Sequence, residues 1–184
     1  MSNWSKSRLT ALVLAVVAFA ETWWVFGPQA ERPRATQSSI ELQAKASALF
    51  AASFKPVGAA RVELQNLTGK PVVAYFWPSW CLECASEVKA LQSLQEQHRA
   101  SGLVVLGFGV DQADRIAGFA KVNAIDFPVF AGGQAAIDLS KQMGNLRAGM
   151  PFVVAVNRRG QAAASHLGKF GPQTAHDMVA RALE

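Results

Sequence analysis

Cysteine, histidine and repeated sequence are all scarce in this chain of 184 residues, which has two cysteines and three histidines. Small secreted domains stabilised by disulfides carry several cysteine pairs, and one pair cannot form such a framework. A structural zinc site would need two more ligands, and His98, His166 and His176 show no paired spacing. Covalent haem attachment is excluded because Ala85, not histidine, follows the second cysteine. We therefore expect no cofactor and no resident metal.

A concentrated patch of positive charge is also missing. Lys and Arg outnumber Asp and Glu by 18 to 13, but the basic residues are scattered along the chain. Proteins that bind nucleic acids gather positive charge in a patch or stripe. We expect no nucleic-acid partner, and the excess charge is interpreted as solvated surface.

The first residues have the pattern of an export signal, because Lys6 and Arg8 precede an apolar run over 9–20. Ala18-Phe19-Ala20 offers a small-x-small cleavage site, whereas continuation of the run to residue 26 would give a short membrane span. A cleaved signal and a retained anchor both place the rest of the chain outside the cytoplasm, since the positive charges stay inside.

Composition divides the chain into three segments. Residues 1–26 are the predicted signal peptide or signal anchor. Residues 27–52 are predicted as a linker and a short helix, because proline, charged and small polar residues come before a helix-compatible apolar spacing. Residues 53–184 are the predicted folded domain.

Within that domain, apolar runs alternate with amphipathic segments, which predicts an α/β fold. The order indicates a mixed central sheet that begins parallel and ends in an antiparallel hairpin, with helices on both faces. The predicted elements are strands at 71–77 and 103–110, helices at 81–102, 113–125 and 134–145, a hairpin at 151–168, and a closing helix at 172–184.

Both cysteines lie where a buried strand meets a helix. Free amides and the positive end of the helix dipole stabilise a thiolate there, so we expect a lowered pKa for Cys81. Cys84 lies one helical turn away, within the Cα separation that a disulfide requires. Cys81 can therefore attack a substrate disulfide, and Cys84 can resolve the mixed disulfide. A fixed structural disulfide across so short a loop would stabilise the fold little, so reversible redox chemistry is predicted.

Residues beside the cysteines are suited to binding an extended peptide. Trp80 and Trp77 bring large amphipathic rings, although Trp77 is equally explained as core at the end of its strand. Pro151 opens a strand in which it cannot donate to the sheet. A cis Met150–Pro151 bond would explain this position and would offer the Met150 amide and carbonyl to a bound strand.

Taken together, five segments resemble the TlpA/ResA-type extracytoplasmic thioredoxin-like family over roughly residues 60–184. The resemblance implies a thioredoxin-like fold and a periplasmic thiol:disulfide oxidoreductase, usually a reductant, recharged by a transmembrane electron carrier of the DsbD/CcdA kind. It assigns Cys81 as nucleophile, Cys84 as resolving thiol and Pro151 as the cis proline. The segments are GKPVVAYFWPSWCLECASEVKALQSL, GLVVLGFGVD, FPVF, GMPFVVAVNRRGQ and HLGKFG.

The short segments ETWW and AYFW also resemble membrane-tethered thiol proteins associated with copper-stress operons. This likeness implies a location on the periplasmic side of the bacterial inner membrane, or in the periplasm if the signal is cleaved. The expected partners are protein disulfides. An apocytochrome in cytochrome c maturation, a copper-stress protein, a methionine sulfoxide reductase and a general thiol pool all stay open as clients.

The chain departs from the family between its cysteines, where Leu82-Glu83 replaces the usual proline-containing dipeptide. Leu82 presents an apolar side chain to a partner. Glu83 should disfavour a neighbouring thiolate through like charge and so make the couple more reducing, although a solvated glutamate at the helix start is an equal reading. Asp111 lies where the family often has an acidic residue, and a cap of the following helix explains it equally well.

Three other functions stay open. The first is an oxidase that donates disulfides, because direction depends on a few kcal/mol of thiolate stabilisation. The second is a module that captures Cu(I) or zinc through the two thiolates. The third is a peptide-binding or chaperone-like module that does not need its cysteines.

Overall fold

A computed structural model describes residues 45–57 and 62–184. Six strands, five α-helices and two short 3-10 helices lie in this part of the chain. The strands are β1 (Pro56–Val57), β2 (Val72–Trp77), β3 (Val104–Gly109), β4 (Val129–Ala131), β5 (Phe152–Val156) and β6 (Ala162–Leu167). The helices are α1 (45–51), α2 (Cys84–Gln97), α3 (Ala113–Val122), α4 (Gly133–Gln142) and α5 (Pro172–Leu183), with short 3-10 helices at Leu64–Leu67 and Arg99–Ser101.

The strands form one mixed sheet in the order β1-β4-β3-β2-β5-β6. Strand β2 lies at its centre, parallel to β3 and antiparallel to β5. Strands β5 and β6 form the predicted antiparallel hairpin. The predicted α/β class with a mixed sheet is confirmed.

Alternation along β2 divides the core between the two faces of the sheet. Val73, Tyr75 and Trp77 face α2 and α5, whereas the intervening residues face the side that carries α1 and α4. All six residues of β2 are fully buried, as expected for a strand covered on both faces. Helix α1 lies in the segment predicted as linker and short helix, and it buries Ala46 and Leu49 in this core.

Two glycines of β3, Gly107 and Gly109, let large side chains pack closely against this strand. A Cβ at Gly107 would lie 2.7 Å from ring atoms of Trp77, and one at Gly109 would lie 2.3 Å from Ile116. The missing side chain at Gly107 therefore makes room for Trp77, and the one at Gly109 makes room for Ile116.

Several predicted boundaries and two strands differ from the structure. Helices α3 and α4 end at Val122 and Gln142 rather than at 125 and 145. Helix α2 begins at Cys84 rather than at 81, because residues 78–81 form a turn in which the Cys81 amide donates to the Pro78 carbonyl at 3.1 Å. It ends at Gln97, and the predicted stop at Gly102 has a left-handed backbone. Strands β1 and β4 were not predicted, because two and three residues are too few to show a pattern.

The N-terminal export signal predicted over residues 1–26 lies outside the described residues, and the proposed division into three segments stays a prediction. None of the helices in the described ranges 45–57 and 62–184 combines the length and the apolarity needed to cross a membrane.

Candidate active site

The two cysteines form a disulfide at the junction of β2 and α2. Their Cα atoms are 5.4 Å apart. Strand β2 ends at Trp77, the turn follows, and Cys84 is the first residue of α2. Cys81 therefore lies in the turn just before the N-terminus of α2. Helix N-termini stabilise a thiolate in general, and the lowered pKa expected for Cys81 stays a prediction.

Burial distinguishes the two sulfurs. Cys84 is fully buried against the sheet, while Cys81 is partly exposed. The side chains beside Cys81 are open to solvent, with Trp80 74% and Leu82 90% exposed. Cys81 is thus the cysteine that a macromolecule can reach, and it is surrounded by exposed apolar surface.

The peptide bond between Met150 and Pro151 is cis. Pro151 directly precedes β5, and Phe152 pairs with Phe76 at the end of β2 that leads to the cysteines. The cis proline and the disulfide therefore lie at the same edge of the sheet. The Pro151 carbonyl accepts a hydrogen bond from the Gly168 amide at 2.8 Å, which joins this loop to the segment after β6.

That segment also reaches the cysteine helix. Lys169 Nζ lies 2.7 Å from Glu83 Oε1, in an ion pair whose two side chains are 62% and 60% exposed. The hydrogen bond and the charge of Glu83 raise the pKa of Lys169. The sequence leaves two roles for Glu83, a like charge that disfavours the thiolate or a solvated side chain at the helix start, and the structure shows a cation beside it. Its effect on the thiolate stays a prediction.

Glu87 is a buried carboxylate that the sequence analysis missed. It is 2% exposed, accepts a hydrogen bond from the Phe170 amide at 2.8 Å, and accepts another from the Tyr75 hydroxyl. Burial, together with the hydrogen bond and charge of Glu87, raises the pKa of Tyr75, so this hydroxyl remains a donor. The available signal was a carboxylate on the same helix face as Cys84 and Leu91.

Asp111 follows β3 and contacts the cysteine turn. Its carboxylate accepts hydrogen bonds from the Ser79 hydroxyl and from the Gln112 amide, and Arg115 lies 3.7 Å away. These interactions lower the pKa of Asp111, with the Ser79 bond contributing most. Asp111 thus ties the turn before Cys81 to the start of α3.

A buried asparagine holds the loop that leads to the cis proline. Asn145 is 2% exposed, and its side-chain amide donates to the Gly149 carbonyl at 2.8 Å and to Ser140 Oγ at 3.2 Å. The Ser140 hydroxyl in turn donates to the Ile137 carbonyl within α4. Helix α4 therefore anchors the residue directly before Met150.

The fold and the site define a thioredoxin-like protein with a CxxC disulfide at its central strand–helix junction. A model of the AhpC/TSA family matches residues 48–161. The chain belongs to this family.

Named relatives agree with that class. "Thiol-disulfide oxidoreductase ResA" of Bacillus anthracis is 29% identical over 70 residues, which are 38% of this chain and 40% of ResA. "Thioredoxin-like protein YneN" of Bacillus subtilis is 30% identical over 81 residues, which are 42% of this chain and 47% of YneN. The chain therefore spans less than half the length of these curated relatives. The predicted resemblance to ResA-type thioredoxin-like proteins is confirmed.

Solved structures support the fold. The structure of MTB dsbF superposes with a TM-score of 0.62 at 20% identity, covering 73% of this chain and 97% of the other. A secreted Mycobacterium tuberculosis disulfide oxidoreductase homologous to E. coli DsbE gives a TM-score of 0.58 at 15% identity, covering 72% and 95%. At these identities the likeness establishes the thioredoxin-like fold alone.

Proposed function

We propose that this protein is an extracytoplasmic thiol:disulfide oxidoreductase that reduces protein disulfides. The observation that carries the proposal is the asymmetric disulfide, with Cys81 partly exposed at a helix N-terminus and Cys84 fully buried beneath it. An attacking thiol needs access and thiolate character, whereas a resolving thiol needs only to reach the first sulfur.

The reaction starts from the reduced dithiol. The Cys81 thiolate attacks one sulfur of a client disulfide, forms a mixed disulfide and releases the other client sulfur as a thiolate. The Cys84 thiolate then attacks Cys81, which re-forms the Cys81–Cys84 disulfide and releases the second client thiol. Two electrons and two protons pass to the client, and two electrons from a dithiol donor return the protein to its reduced form.

In this scheme Trp80, Leu82 and Met150 contact the client, and Pro151 shapes the backbone that receives it. The ResA-type resemblance supports a transmembrane carrier of the DsbD/CcdA kind as the electron donor. The export-type N-terminus and the ResA-type resemblance support a location outside the cytoplasm, on the periplasmic side of the inner membrane or free in the periplasm.

The test is the reduction potential of the Cys81/Cys84 couple in the full-length protein, equilibrated against glutathione and dithiothreitol. A value near that of thioredoxin, about −270 mV, is expected for a reductant. A value near that of DsbA, about −120 mV, would instead make the protein a disulfide donor. Cys84→Ser should accumulate a mixed disulfide with a client, and Cys81→Ser should not.

A further inference from the structure

The cysteine turn, residues 78–81, is held by a side chain from another part of the chain. The Ser79 hydroxyl donates a hydrogen bond to the carboxylate of Asp111, which lies 32 residues further on. Cys84 needs no such support, since it is fully buried as the first residue of α2. The position of the Cys81 sulfur relative to Cys84 therefore depends on the turn.

Asp111 is a rigid anchor for this hydrogen bond. Both of its carboxylate oxygens are engaged, because Oδ2 accepts from Ser79 and Oδ1 accepts from the Gln112 amide at 2.8 Å. The Asp111 side chain is only 16% exposed. The backbone just before it is joined to the end of β2, since the Val110 amide donates to the Trp77 carbonyl at 3.0 Å. The acceptor of the Ser79 hydroxyl is therefore fixed by the sheet.

A cap on the following helix does not account for this carboxylate. The N-cap position of α3 is Gln112, one residue after Asp111, and its side chain makes no capping hydrogen bond. A capping side chain accepts from an amide two or three residues further on, whereas the amide that binds Asp111 is that of the next residue. The contact with Ser79 is thus the one that gives Asp111 a partner outside its own segment.

We propose that Asp111 is a positioning residue for disulfide exchange, which holds Cys81 over Cys84 through the Ser79 hydroxyl. The inference rests on the proposed function. In the oxidised protein the Cys81–Cys84 bond itself fixes the turn. When that bond is open, as in the mixed disulfide with a client, the hydrogen bond from Ser79 to Asp111 still holds the turn in place.

The step that depends on this hydrogen bond is the closing step. The Cys84 thiolate attacks the Cys81 sulfur, a Cys81–Cys84 bond forms, the bond from Cys81 to the client sulfur breaks, and the client sulfur leaves as a thiolate that takes a proton from solvent. Because both cysteines belong to one chain, the rate depends on how often the turn aligns the two sulfurs. Attack of Cys81 on a small reagent from solvent needs no such alignment.

The experiment follows single turnovers of the reduced full-length protein with hydroxyethyl disulfide, at a concentration that makes formation of the mixed disulfide faster than its closing. Acid quenching stops thiol exchange, and mass spectrometry separates the reduced, mixed-disulfide and closed forms. Alkylation by iodoacetamide reports the reactivity of Cys81 without Cys84. We expect Ser79→Ala and Asp111→Ala to slow the closing step about tenfold, the effect of losing one hydrogen bond to a charged group, and to leave alkylation no slower than in the wild-type protein.

Three further variants separate the hydrogen bond from the charge of Asp111. The double variant Ser79→Ala/Asp111→Ala should close no more slowly than either single variant, because both remove the same bond. Asp111→Asn should close faster than Asp111→Ala, because its NH₂ can donate to the Ser79 hydroxyl oxygen. Asp114→Ala is the matched control and should keep the wild-type rate, because Asp114 is an exposed carboxylate in the first turn of the same helix.

Four results would overturn the inference while leaving the oxidoreductase intact. These are a wild-type closing rate in Ser79→Ala and Asp111→Ala, alkylation slowed as much as closing, losses that add in the double variant, and equal closing rates in Asp111→Asn and Asp111→Ala. The last result would assign the effect to the charge and not to the hydrogen bond. A wild-type protein that forms neither a mixed disulfide nor a closed product would instead remove the proposed function, and with it this inference.

Discussion

At the scale of single residues, Glu83 lies between the cysteines and forms an ion pair with Lys169. We expect Glu83→Gln to lower the pKa of Cys81, because it removes a negative charge beside the thiolate and releases the cation of Lys169. A more stable thiolate makes the couple more oxidising. Ultraviolet thiolate absorbance during a pH titration of the reduced protein measures the change, which should be small because solvent screens both exposed side chains.

The control is the variant that removes the cation of this ion pair instead of the anion. Lys169→Gln leaves the Glu83 charge unbalanced, so the pKa of Cys81 should rise and the couple should become more reducing. The double variant should lie between the two single variants. An unchanged or raised pKa in Glu83→Gln would remove Glu83 from the tuning of this site.

Glu87 satisfies two buried donors, and its removal should cost stability. We expect Glu87→Leu to lower the free energy of unfolding by about 1–3 kcal/mol, because the buried Phe170 amide then has no acceptor. Urea unfolding measures the loss. Glu87→Gln is the matched control, since its carbonyl can still accept from the Phe170 amide. Equal losses in both variants would show that the hydrogen bond is not the cause.

The sequence identifies the reactive residues of this site but not their partners. Two cysteines three positions apart after a buried strand predict the reactive pair Cys81 and Cys84, and a proline opening a strand predicts the cis bond. Lys169 and Phe170 are 86 and 83 residues from the glutamates that they contact. Such pairs are set by how the β5–β6 hairpin pairs with β2 within the sheet, which no local pattern encodes.

At the scale of elements, the loop between α4 and β5 depends on Asn145. We expect Asn145→Leu to loosen residues 144–150, because the Gly149 carbonyl loses its donor directly before the cis proline. The loss should lower kcat/KM for a cystine peptide, which needs the ordered Met150 backbone, more than for hydroxyethyl disulfide. Stability should fall by about 1–3 kcal/mol as well.

Gln142→Ala is the control for this loop, because Gln142 is exposed at the end of α4. It should leave both substrates and the stability unchanged. If Asn145→Leu slows the peptide and the small disulfide equally, then the asparagine serves the fold and not the position of the cis-proline loop.

The length of the hydrophobic pattern in an element decides whether the sequence predicts that element. The six-residue strands β2 and β3 are continuous apolar runs, and the amphipathic helices keep their spacing over ten residues or more. Strands β1 and β4 form only by pairing with each other and, for β4, with β3. Their existence depends on the assembled sheet, so neither shows in the local sequence.

At the scale of the whole molecule, folding brings three distant segments to one edge of the sheet. The cysteine turn, the cis-proline loop and residues 168–170 are joined there by the Gly168–Pro151, Lys169–Glu83 and Phe170–Glu87 contacts. These three contacts exist only in the folded protein, so folding can change the reduction potential of the Cys81/Cys84 couple. The change can be measured as the difference between the free energies of unfolding of the oxidised and the reduced protein.

Oxidation and unfolding form one thermodynamic cycle. The free energy of unfolding of the oxidised protein minus that of the reduced protein therefore gives the difference between the reduction potentials of the Cys81/Cys84 couple in the folded and in the unfolded chain. Each 30 mV corresponds to about 1.4 kcal/mol for this two-electron couple. For a reductant, we expect the oxidised form to unfold at higher urea concentration than the reduced form, since a more reducing folded couple means a disulfide stabilised by folding. Urea unfolding with and without dithiothreitol measures the difference, and a Cys81→Ala/Cys84→Ala variant should not respond to dithiothreitol. A reduced form as stable as the oxidised form, or more stable, would contradict the reducing direction.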